Sequence, residues 1–282
     1  NQKEYMCSAD LKEFVEKYHL NLSQDGTFNP RDIFGSHDDS DHVYNTPRAW
    51  YMARCLNPST MNWDGPDADF TPLSDDIPWC MVPEKKVTIE DVKYVLSSHF
   101  QGTPYDPYAS YGDKSMKGAY RAIGVNRTDF LGIIQMRPDA GEDSRAIEWV
   151  AFASNVFNTA APFYTDVEKV PEYFSNTTGD ASTDNFYWAS RMIAAMADAS
   201  YSKSIFHIER YQERVMSKGH EYINQYDELL SKESNAEERM QLRQEANEKI
   251  ADMVKKETQD TLNKVLYELS NQMKNAYSRS DA

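Results

Sequence analysis

The chain has 282 residues, enough for one large domain or two smaller ones around a sizeable core. Forty-five acidic residues against 30 basic ones give a net charge of −15, which argues against nucleic acid or an anionic membrane as partner, since both are bound through lysine and arginine. No apolar run reaches the ~18 residues of a membrane span, no basic-then-apolar leader opens the sequence, and Cys7, Cys55 and Cys80 lack CxxC spacing, so a soluble, cytoplasmic protein without a disulfide framework is expected.

Ser8 is a good N-cap for a helix with Leu11, Phe14, Val15 and Tyr18 on one face. A helix this amphipathic at the very start reads like the middle of a domain, and the chain is expected to be a fragment. Residues 37–42 read His-Asp-Asp-Ser-Asp-His. The two histidines are five apart with no third ligand at helical spacing, which favours a solvated loop or a rim over a metal site. Val43–Tyr44 is expected to be extended, with Asn45-Thr46-Pro47 turning the chain into a helix that carries Arg48 and Trp50. Asn45 at this corner has two readings: it caps the helix, or it points its NH2 at a ligand entering the corner.

Residues 57–83 hold five prolines, five aspartates and two tryptophans, an irregular loop for which Trp63 and Trp79 are the expected anchors. Thr88 should cap a helix with Ile89, Val92, Val95 and Leu96 as its buried stripe. Gly102–Tyr108 follows as a stiff GTPYDPY loop. With His99 and Asp106 beside it, this loop suits the wall of a polar pocket or a surface turn. Residues 126–137 and 144–154 alternate as strands joined by a hairpin connection, and both faces are apolar enough for a sheet covered on both sides. Arg127 stands at the entrance of the first strand, where burial would require an acidic or thiolate partner. Beyond Tyr164 the pattern is helical: residues 184–199 with Thr183 as cap, then two long helices joined near Asn235, an antiparallel hairpin suited to core packing or subunit contact.

VYNTPRAWYMARCLNP, the segment Pro78–Lys86, SSHFQGTPYDPY and the closing Tyr277–Asp281 together resemble the dipeptidase A family of cysteine peptidases, from about Tyr5 onward. The resemblance implies an N-terminal-nucleophile hydrolase: an N-terminal cysteine attacks the peptide, and its own α-amine is the general base. No cysteine opens this chain, so the nucleophile is expected upstream. Tyr44-Asn45-Thr46-Pro47 is similar to the TN-x-P motif of bile-salt hydrolases and penicillin V acylases, which implies oxyanion binding by Asn45; Arg127 resembles their arginine beside the nucleophile.

The expected fold is α+β, part of an αββα sandwich of antiparallel strands over residues 1–165, followed by a helical region with a long hairpin over 166–282. The expected function is hydrolysis of dipeptides through an acyl-enzyme, with no cofactor, and with a homo-oligomeric assembly. Asn45 and Arg127 are the catalytic candidates, and His99, Asp106 and Arg48 the substrate-binding ones. The rival readings are a metal-dependent hydrolase using the 37–42 cluster and a non-catalytic helical interaction protein.

Overall fold

The computed structural model describes residues 6–24, 26–36 and 38–275. Tyr5, His37 and the closing segment 277–281 of the sequence reading lie outside the described residues. Among the described residues five helices precede the sheet: α1 (Leu11–Lys17), α2 (Pro30–Phe34), α3 (Asp41–Tyr44), α4 (Thr46–Leu56) and α5 (Ile89–Leu96). Strands β1 (Phe130–Met136), β2 (Ala146–Phe152) and β3 (Ala161–Tyr164) follow, and then α6 (Glu172–Ser175), α7 (Phe186–Ala199), α8 (Tyr201–Leu230) and α9 (Ala236–Ser270). The architecture is α+β, with a small antiparallel sheet and a helical C-terminal region.

Several local expectations are corrected. Asp10, not Ser8, precedes α1, and only Val15 of its apolar residues is buried; Phe14 and Tyr18 lie against each other at the surface, ring centres 4.8 Å apart. Val43–Tyr44 is helical, because the carbonyl of Ser40 accepts from both their amides and that of Asp41 accepts from Asn45 at 2.9 Å. Thr46 is already in α4, so the steric bias against helix before Pro47 is overcome by the two amides, Arg48 and Ala49, that bond the Asn45 carbonyl. Trp63 anchors its loop, donating to the Asn57 carbonyl at 2.8 Å. Trp79 is exposed beneath the Arg31 guanidinium, a cation–π contact at the surface instead of an anchor.

The sheet has the order β1-β2-β3, with Leu131 opposite Ala151 and Trp149 opposite Pro162. Its buried face carries Ile147, Trp149 and Ala151, packed among α8 and α9 residues such as Val215, Tyr226 and Ile250. The opposite face of β1 is bare among the described residues: Phe130, Ile134 and Met136 are 54%, 70% and 60% exposed. The expectation of a sheet covered on both sides is therefore met on one side here. Tyr211 with Thr258, Arg214 with Asp260 and His207 with Glu268 fix α8 and α9 as an antiparallel pair. Asn235 caps α9 by accepting from the Glu237 and Glu238 amides, and Glu233 rather than Glu238 receives the Asn235 N–H. The cap of α7 is Asn185, not Thr183.

Two contacts lock the hairpin onto β3. At Gly219 of α8 a Cβ would stand 2.6 Å from Pro162 Cδ, so only glycine permits this approach. On α9 the buried Asn247 amide accepts from the Tyr164 N–H at 2.9 Å and donates to the Tyr164 carbonyl at 3.0 Å, completing the backbone bonding at that point of β3. Asn247→Leu keeps volume and helix propensity but strands both groups, and is expected to lower stability by about 2–4 kcal/mol. Urea denaturation with an unchanged m-value checks it, and a loss under ~0.5 kcal/mol would show that water or a shifted strand replaces the amide.

Candidate functional site

Segment 120–127 ties together the three regions that carry the candidate residues. The Arg121 N–H donates to the Val43 carbonyl at 3.0 Å, and Arg48 Nε donates to the Arg121 carbonyl at 3.1 Å. The Gly124 N–H donates to the Ser98 carbonyl at 2.8 Å. A Cβ on Gly124 would lie 2.6 Å from the Ser97 carbonyl oxygen, so the glycine lets two backbones touch. The corner at 41–48 and the loop at 97–108 are thereby stitched to one strip of chain.

At the corner, Asn45 occupies the N-cap position of α4 without any side-chain capping bond. Its side chain is exposed, and Nδ2 donates to the Asp41 carboxylate. It borders an open cavity of about 1010 Å³ whose walls include Asp38, His42 and Asp75. His42 pairs with Asp75 at 2.9 Å. Among the described residues no group of three or more His, Cys, Asp or Glu is placed to hold a metal ion. Arg48 is half-buried, and burial first, then the neighbouring Arg121 charge, pull its pKa below the ordinary arginine value. Arg127 is exposed in the turn closed by the Thr128 amide on the Val125 carbonyl, three residues before β1 starts. The strand is shorter than its pattern, so Arg127 is solvated and needs no buried counter-ion.

The loop after α5 is the most ordered polar cluster. Thr88 and Asp91 form the reciprocal capping box that starts α5. Phe100 and Gly102 take positive φ values of 66° and 76°, curling the chain so that the Thr103 hydroxyl reaches the Phe100 carbonyl at 2.7 Å. Asp106 accepts the Tyr108 N–H at 2.9 Å and lies 2.9 Å from His99 Nδ1. Both His99 and Asp106 are buried. A carboxylate can only accept, so Nδ1 carries a proton, and Nε2 lies 3.2 Å from the Tyr201 hydroxyl, an O–H donor. Burial first, then the Asp106 and Glu209 charges, push the Tyr201 pKa up and keep that donor protonated. Tyr108 stacks on Tyr201 at 3.9 Å and donates to Asp198. GTPYDPY is a run of turns at the surface, with Gly102, Pro104 and Pro107 exposed and only Thr103 and Asp106 buried beneath them.

The structure thus brings His99 and Asp106 into direct contact and leaves Asn45 and Arg48 at the corner that opens α4. One residue the sequence reading passed over is Lys93. It follows Ile89 by four positions, on the same stripe of α5, and is only 4% exposed. Its Nζ donates to Ser97 Oγ and to the Asn155 carbonyl, both at 2.7 Å, and meets no carboxylate. Burial alone brings its pKa down to about 7. An apolar face interrupted by lysine was the available signal.

The family model for peptidase family C69 matches residues 1–214, which places the chain among peptidases. The chain belongs to that family, the dipeptidase A group. It is 46% identical to a dipeptidase of Bifidobacterium longum strain NCC 2705, the alignment covering 100% of this chain and 60% of the relative. It is 45% identical to a probable dipeptidase A of Streptococcus pyogenes serotype M18, over 100% of this chain and 57% of the relative. A probable dipeptidase B of Lactococcus lactis is 34% identical over 99% and 57% of the two chains. The chain spans about three fifths of the length of these curated relatives.

The Lys93 environment has a measurable consequence for stability. Folding holds the pKa at about 7 against 10.5 in the unfolded chain, so the folded state binds fewer protons between those values and stability rises with pH across them. Lys93→Met removes that slope. It is expected to stabilise the chain by about 1–3 kcal/mol at pH 7, and the gain should shrink as pH approaches 10. Urea midpoints at the two pH values test this, and a pH-independent difference would mean that the ammonium is solvated in the folded state.

Proposed function

We propose that the whole protein is a cysteine-type dipeptidase that works through an acyl-enzyme, and that this chain supplies the part C-terminal to the nucleophile. The observation that carries the reading is the identity of 46% to a dipeptidase across the entire chain. In this scheme an upstream cysteine, exposed as the N-terminus of the mature protein, attacks the peptide carbonyl as its thiolate. Its α-amine takes the thiol proton and delivers it to the leaving amine, and water then cleaves the thioester. Asn45 binds the oxyanion through its amide. In support, the side chain makes no capping bond to α4, faces an open cavity, and has a second N–H besides the one given to Asp41.

Arg127, exposed at the lip of β1, is proposed to face the thiolate, with Arg48 and the His99–Asp106 pair lining the substrate's path. The bare face of β1 supports an αββα sandwich in which the N-terminal part of the same protein supplies the second sheet. Three apolar side chains, Phe130, Ile134 and Met136, on the solvent-facing side of one strand call for a covering layer. Residues 1–165 then complete the sandwich and 166–282 form its helical extension. We place the protein in the cytoplasm, consistent with the free Cys7, Cys55 and Cys80, and propose a homo-oligomer.

Two substitutions in the full-length protein test the assignment. Asn45→Ala is expected to lower kcat by about 10²–10³-fold while the melting temperature stays unchanged, and a kcat within twofold of wild type would remove Asn45 from the reaction. Arg127→Gln is expected to raise the apparent pKa of the nucleophilic thiol, read from the pH dependence of iodoacetamide alkylation. Superimposable alkylation profiles would separate Arg127 from the thiol. Intact-mass measurement of the mature protein is expected to show a chain that begins with cysteine.

A further inference from the structure

A second cavity, about 820 Å³, lies between α5, the loop after it and the first half of α8. Its chemistry is asymmetric. Lys93 stands in the wall, nine-tenths buried, and among the described residues its ammonium bonds only to neutral oxygens, those of Ser97 and Asn155. The ammonium has three donors, and these two bonds leave one unassigned. A buried cation without an anion is a costly arrangement unless something negative enters beside it.

The other walls carry the opposite sign. Glu209 and Glu213 of α8 line the cavity, are exposed, and make no ion pair among the described residues. Glu90 of α5 also lines it, paired with His220 at 2.7 Å. A simple anion approaching Lys93 would pass these carboxylates on a chain of charge −15, and would be repelled. A simple cation would find the carboxylates but also the lysine. The molecule that satisfies both walls is a zwitterion, with a carboxylate for Lys93 and an ammonium for the α8 pair. Ile205, Val156 and Met216 supply apolar surface between them, suited to an aliphatic side chain.

We propose that this cavity binds a short unblocked peptide, its C-terminal carboxylate on Lys93 and its N-terminal ammonium on Glu209 and Glu213. The ligand class coincides with the substrate proposed above, and to that extent the inference rests on that reading, but the site does not require the thiol chemistry. Nor does it depend on Asn45 or Arg127. Of the candidates named earlier only His99 borders the cavity, held there by Asp106 and Tyr201. The lowered pKa of Lys93 fits the same picture, since a lysine poised near neutrality regains its proton when a carboxylate arrives.

The test is binding without turnover. Titration calorimetry on the full-length protein uses the ketomethylene isostere of Leu-Ala, which keeps both charged ends and has no scissile bond, together with its N-acetyl derivative and its C-terminal amide. The unblocked isostere is expected to bind, and each blocked form to bind about ten- to hundredfold more weakly. Lys93→Met is expected to weaken the unblocked isostere by a similar factor and to erase the difference between acid and amide. Glu209→Gln with Glu213→Gln, both on the exposed face of α8, should erase the difference between free and acetylated amine, and this pair keeps the test decisive if Lys93→Met fails to fold. Equal affinity for the blocked and unblocked forms, or unblocked affinity indifferent to both sets of variants, overturns the proposal. A protein that hydrolyses dipeptides yet shows that indifference refutes the cavity and leaves the peptidase standing. Isostere binding through Lys93 by a protein that hydrolyses none does the reverse.

Discussion

The clasp between Asn247 and the Tyr164 backbone is the constraint from which the rest of the architecture follows. A three-stranded sheet has two edges, and any edge group buried without a partner is penalised. Here α9 brings a side-chain amide whose acceptor and donor match the strand's N–H and carbonyl. That match fixes the height of α9 against β3, and the Tyr164 hydroxyl, bonded to Asp227 at 2.8 Å, fixes α8 from the same residue. Arg137, leaving β1, reaches the same Asp227. Arg239 and Arg243 of α9 reach back to Asp143 in the β1–β2 connection. Hydrogen bonds from Arg239 and the charge of Arg243 hold the Asp143 carboxyl below the usual range. Sheet and helical hairpin are therefore bound by polar contacts whose geometry allows one register, on top of an apolar core that alone would tolerate several.

The front of the molecule is organised differently. No sheet supports the corner at Asn45 or the loop at His99. Both bond to segment 120–127, where Gly124 lets two backbones touch, and both rest on the aromatic core of Trp50, Tyr51 and Phe100. Precision there comes from buried local networks, such as the chain from Asp106 through His99 to Tyr201.

Legibility in the sequence followed the range of the interactions. The hairpin α8–α9, its Asn235 cap, the pairing of β1 with β2 and the Thr88 cap were readable, because each is written in spacing or in residues within a few positions of each other. His99 and Asp106 are seven apart in a proline-flanked loop, so their nearness was legible, while the direct contact depends on the turns at Phe100 and Gly102 that fold one onto the other. The corner was misread because Val43 and Tyr44 carry β-type side chains, and only the turn hydrogen bonds from Ser40 and Asp41 decide for helix. Lys93 was missed for another reason. The stripe of α5 hints that Lys93 turns inward, but its ammonium is held by the Asn155 carbonyl, 62 residues away, which no local pattern announces.

The bare side of β1 has a consequence for the life of the chain before assembly. The segment Phe-Leu-Gly-Ile-Ile-Gln-Met contains no charge and no proline, and among the described residues it pairs only with β2. Such a stretch is a template for pairing with any other extended chain, the same segment of a second molecule included. An exposed stretch of this kind makes the order in which the chain folds a matter of solubility as well as of structure.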